Sequence, residues 1–157
     1  MTVATSRKTA RKALASLLDT ALSSYLVSGD HVTAYPPADF TLSPKIFVRS
    51  AGTYSDRRGV GQQFGFNKFA LEIWIYVSAA NKDPGNTPEA VADLLDDIEA
   101  VVRKTILDNP KNAAWNAIRQ PEGEKTEIVQ LEGKATGGSP YDVEIMPVEV
   151  EIYDTQA

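Results

Sequence analysis

Cysteine is absent from this chain of 157 residues, and histidine occurs once, at His31. The first absence removes disulfides, thiolate nucleophiles and cysteine-bound zinc. The second leaves a metal site or a Ser-His-Asp arrangement short of partners, and no G-x-S-x-G elbow is present. His31 therefore reads as an ordinary surface histidine. No apolar run approaches the ~18–20 residues of a membrane-spanning helix. Arg7, Lys8, Arg11 and Lys12 lead into alternating alanine, polar residues and leucine rather than an apolar core, so a secretory signal is not expected. Repeats and linker-like stretches are also missing, which predicts one domain over residues 1–157, with the first five residues flexible.

What is present is an ordinary globular composition, 43% hydrophobic and 24% charged, with a formal net charge of −5. The charge is uneven. Residues 1–12 are purely basic, residues 49–68 carry Arg49, Arg57, Arg58 and Lys68 against Asp56, and residues 120–157 hold nine acids against Lys125 and Lys134. An acidic chain lacks the basic footprint of a dedicated nucleic-acid binder. Opposite-signed patches suit pairing with other copies or with protein partners.

Hydrophobic periodicity predicts the elements. Ala10, Ala13, Leu14, Leu17, Leu18, Ala21, Leu22 and Tyr25 recur at helical spacing, giving a helix over 6–27 that Ser6, or alternatively Thr5, can cap, with Gly29 suited to a left-handed turn after it. A short strand is predicted over His31–Tyr35 and another over Pro44–Ser50. The clearest strand is Lys68–Val77, in which Phe69, Leu71, Ile73, Ile75 and Val77 alternate with a half-aromatic second face. Thr87-Pro88-Glu89 opens a second helix that Asn109-Pro110 stops. A helical turn is expected near Ala113–Ile118 and strands over Thr126–Leu131 and Tyr141–Tyr153. In the last, a bulge at Met146-Pro147 would gather Val143, Ile145, Val148, Val150 and Ile152 on one face and leave Glu144, Glu149 and Glu151 on the other. The pattern is α+β: a mixed or antiparallel sheet with a long β-hairpin, packed against two main helices.

Most motif-like features dissolve on inspection. Gly59-Val60-Gly61 is followed by a strand rather than the helix a dinucleotide site needs. Gly133-Lys134-Ala135-Thr136 lacks both the Ser or Thr after lysine and the earlier glycine of a phosphate loop. Asp93 and Asp97 share a helical face, but one turned away from Leu94, Leu95 and Ile98, so they read as a solvated surface rather than a catalytic pair. The segment 53–66 remains. As a hairpin connection it is longer than most. It combines Arg57 and Arg58 with Tyr54, Gln62, Gln63, Phe64 and Phe66, and arginine and aromatic side chains are enriched at protein interfaces.

Five stretches together resemble the tail terminator, or tail completion, proteins of long-tailed bacteriophages: RKALASLLDTALSS, PKIFVRSAG, FALEIWIYV, TPEAVADLLDDIEAVV and YDVEIMPVEVEIYD. They cover most of the chain. The resemblance implies an α+β subunit without catalytic residues, metal or cofactor. It implies a hexameric ring on the head-proximal end of the tail tube, halting tube polymerisation and joining the tail to the head. The expected partners are further copies of the chain, the tail tube protein and the head–tail connector or stopper protein. The expected location is the virion tail, after assembly in host cytoplasm, with DNA passing through the ring and no membrane. A ring needs two different patches per subunit. Tyr54, Arg57, Arg58, Gln62 and Phe64 are the expected contacts on one side. Glu144, Glu149 and Glu151 are expected either to receive the arginines of a neighbour or to line a channel that like charge keeps free of sticking DNA. The alternatives are another neck or tail component, such as a head-closure or tube-related protein, and a small ligand-binding domain or enzyme.

Overall fold

A computed structural model describes residues 6–38, 43–56, 65–78, 88–121, 126–132 and 140–154. Two helices, α1 (Arg7–Ala21) and α2 (Pro88–Asp108), pack on an antiparallel sheet of five strands: β1 (Lys45–Asp56), β2 (Gly65–Ser78), β3 (Ala117–Arg119), β4 (Glu127–Glu132) and β5 (Pro140–Asp154). The strand order is β1-β2-β5-β3, with β4 beside the other half of β5. The architecture is the mixed α+β single domain that the sequence pattern predicts.

Local chemistry accounts for the helix ends. The Ser6 hydroxyl accepts from the Thr9 amide at 3.2 Å, closing the first turn of α1. Ala10, Leu14, Ala15, Leu18 and Leu22 then form its buried stripe. The helix stops at Ala21, earlier than the apolar spacing predicts, and the Ser23 hydroxyl turns back to the Thr20 carbonyl. Gly29 adopts a φ of 86° inside a turn that the Asp30 amide closes onto the Val27 carbonyl. At the far end of α2, the Asn109 side chain donates to the Thr105 carbonyl, and the Asn109 carbonyl accepts from the Trp115 indole at 3.0 Å. Thr87, the predicted cap of α2, lies outside the described residues.

β2 and β5 pair without interruption from Gly65↔Asp154 to Ser78↔Tyr141. The Met146-Pro147 bulge expected from the sequence is therefore not there. The one register shift lies in β1, between Ser50 and Gly52. Strict alternation puts Glu144, Met146, Val148, Val150 and Ile152 on the face under the helices. Val143, Ile145, Glu149 and Glu151 point to the opposite face. Leu71, Ile73 and Ile75 join Met146 and Val148 beneath Leu14, Leu18, Ile98 and Val102 in the core, each full side-chain burial contributing roughly 1.5–3 kcal/mol.

Two smaller expectations change. His31–Tyr35 makes a single parallel bridge, Thr33 to Phe47, rather than a strand. Ala117–Arg119 is an edge strand on β5 rather than part of a helical turn. The β1–β2 ladder also extends to Asp56↔Phe66, inside the segment expected to be loop. Residues 57–64, which connect the two strands, lie outside the described set.

Candidate assembly surfaces

The helices cover one face of the sheet; on the other, Phe47, Val143 and Glu151 are buried, while Trp74, Tyr76, Ile145, Pro147 and Glu149 are partly exposed. Among the described residues no helix covers the second face, and its centre is aromatic. Phe47 and Trp74 are cross-strand partners, and Tyr76 follows Trp74 on the same side of β2. Their three rings stack with centroids 5.7 to 6.1 Å apart. The Arg49 guanidinium stands over Trp74 at 5.3 Å. One Glu72 oxygen accepts from the Trp74 indole and pairs with Arg49 Nε, both at 3.3 Å. Burial raises the Tyr76 phenol above its ordinary value, opposed by the Arg49 charge. Ile145 and Pro147, across from Trp74 and Glu72, continue the apolar surface at intermediate exposure.

Further along this face the carboxylates of β5 are already engaged. Arg119 reaches both Glu149 and Glu151, and Lys68 Nζ lies 3.3 Å from Glu149. Glu151 is only 5% exposed. Glu144 is on the other face, 3% exposed, and accepts from the Thr126 hydroxyl at 2.9 Å. Burial pushes its carboxyl above the ordinary value of 4.5. Thr126 and Arg103 act downward, and Glu99 and Asp96 of α2 push further up. The three acids therefore do not form the single exposed row expected from the sequence. Glu144 and Glu151 are buried, and Glu149 and Glu151 are paired with Lys68 and Arg119 within the subunit.

The exposed sides of the helices behave differently. Glu89, Asp93 and Asp97 follow one another at four-residue spacing on α2, with Asp96 beside them, all exposed. Lys8 and Lys12, and Arg7 and Arg11, repeat the spacing at the start of α1. Like charges one turn apart cost a helix about 0.2–0.5 kcal/mol per pair. Glu99 and Asp108 have partners in Arg103 and Lys104. The other four acids of α2 and the four bases of α1 have no oppositely charged partner among the described residues. Arg7 and Arg11 donate instead to the hydroxyls of Thr53 and Ser50.

A cleft of about 390 Å³ between the end of α2 and β3 is lined by Arg103, Ile106, Leu107, Pro110, Ile118 and Arg119. Both guanidiniums are committed to carboxylates, which gives no support to the ligand-binding alternative. Among the described residues no group of three acidic or histidine side chains converges on a metal position. His31 is exposed, 3.3 Å from Asp19.

Of the predicted interface residues, Tyr54 lies in β1, paired with Lys68 of β2. Arg57, Arg58, Gln62 and Phe64 lie outside the described residues. Two contributors escaped the sequence reading. Arg119 stands in a strand of three residues, too short for a period to show. The Phe47–Trp74–Tyr76 stack was visible only as the half-aromatic parity of β2, because Phe47 joins it through cross-strand register. No protein-family model matches the chain, and no curated protein matches it.

Proposed function

We propose that this protein is a non-enzymatic assembly subunit, a tail terminator that forms a ring on the head-proximal end of a phage tail tube, stops its growth and joins it to the head-side connector. The observation that carries the reading is the two-sided sheet. Helices cover one face, while on the other Trp74, Tyr76, Ile145 and Pro147 form an apolar band that stays partly exposed. Such a band suits burial against a neighbouring subunit or the tube. The order of elements, helix, paired long strands, helix and closing strand, agrees with the resemblance in the sequence. Tyr54, Arg57, Arg58, Gln62 and Phe64 remain the proposed contacts to the tube.

Negative-stain imaging of the purified protein, with tube-length measurement in its presence, tests the proposal. Closed six-fold rings that limit tube length support it. Open-ended stacks indicate a tube-related protein instead. A monomer that leaves tube length unchanged overturns it.

A further inference from the structure

The unpartnered charges of the two helices lie at opposite ends of the helix layer. Arg7 and Arg11 reach Thr53 and Ser50, which are level with Phe69 and Leu71 of β2. Asp96 and Glu99 act on Glu144, which is level with Ile75. At a rise of about 3.3 Å per residue, the basic start of α1 and the acidic half of α2 are separated by roughly 13–20 Å along the strands. They cannot neutralise each other within one subunit.

We propose that they meet between copies: the Glu89, Asp93, Asp96 and Asp97 face of α2 on one subunit docks on the exposed Arg7, Lys8 and Lys12 face of α1 on the next. The pairing deepens the ring-forming reading and rests on it. Its geometry is matched, because Lys8 and Lys12 are one helical turn apart and so are Asp93 and Asp97. Side chains on one helix can therefore meet those of the other at two successive rungs. Each patch carries like-charge repulsion that the opposite patch relieves. The two patches differ, so the contact is heterologous and propagates head to tail, closing into a ring if the rotation allows. It also replaces the acids of β5, which are consumed within the subunit, as the acidic half of the interface.

The test is self-association by analytical ultracentrifugation at about 50 mM and about 500 mM salt, where screening of exposed charges differs strongly. Wild type is expected to associate, and less so at high salt. Lys8→Glu/Lys12→Glu and Asp93→Lys/Asp97→Lys should each weaken association by roughly ten-fold or more, since like charges then face each other. Mixing the two variants should restore assembly, because each supplies the face that complements the other. Circular dichroism and thermal unfolding confirm that both variants are folded. Association of both variants at wild-type strength overturns the pairing, and so does a mixture of folded variants that stays monomeric. Lysine-dependent binding to duplex DNA without self-association overturns it in favour of a nucleic-acid contact. Rings that survive both reversals remove this interface and leave the terminator reading standing. Restored rings that fail to limit tube length do the reverse.

Discussion

Lys45 Nζ lies 2.7 Å from Asp30 Oδ1, and both side chains are almost withdrawn from water, at 11% and 8% exposure. The pair ties the turn at Gly29 to the first residue of β1. Removing one partner leaves a charge without its counter-ion in a desolvated place. Asp30→Ala is expected to cost about 3–5 kcal/mol, whereas Asp30→Ala combined with Lys45→Met should cost markedly less. Urea unfolding of the single and double variants, compared as a cycle, measures the difference.

Glu144 makes stability depend on pH. Its carboxyl binds a proton more tightly in the folded protein than in the unfolded chain, because burial raises its value above 4.5. Stability is therefore favoured below that value and falls as pH rises through the raised one. Glu144→Gln keeps an oxygen to accept from Thr126 and removes the charge. It should flatten this fall and raise the unfolding temperature at pH 7, by about 2–4 °C for each kcal/mol recovered. Thermal unfolding between pH 4 and pH 8 is the measurement. An unchanged pH slope would place the titration elsewhere.

The aromatic stack is expected to stabilise the isolated subunit as well as any contact. Trp74→Ala removes two ring contacts and the Arg49 interaction, and should cost about 1–3 kcal/mol, below the ~3–5 of a fully buried ring. Trp74→Phe should recover most of it. Chemical denaturation compares the three proteins.

Arg119 holds two carboxylates with one guanidinium. Because its side chain is about half exposed, Arg119→Ala should cost about 1–2 kcal/mol, between the surface and buried limits for ion pairs. Arg119→Lys should not restore it fully, since an ammonium lacks the planar fork that spans both acids. Denaturation midpoints of the two variants decide.

The helical stripes and the alternation of Phe69 to Val77 were legible because each sets an aliphatic or Phe side at a fixed period against a side of different composition. β5 was misread for the same physical reason. A strand flanked on both sides, with Val143 fully buried on one face and Met146 on the other, carries apolar residues at both parities. Sorting them onto one face demanded a bulge, whereas continuous pairing with β2 needs none. Residues 51–56 lack an apolar period, yet the ladder carries them as strand. Among the charged features, the basic start of α1 and the acidic first half of α2 were readable from composition. The neutralisation of Glu149 and Glu151 was not, because it depends on Lys68 and Arg119, which are distant in sequence and brought together by register.

The place of β5 in the sheet has a consequence for synthesis on the ribosome. β1 and β2 emerge early, and β3 and β4 later, but the strand that joins them is residues 140–154. Until that stretch clears the exit tunnel, β2 lacks its neighbour and the inner face of the sheet is only partly made. Nascent chains halted before residue 140 should therefore be readily cleaved by protease, and resistance should arrive abruptly with the final strand rather than accumulate along the chain.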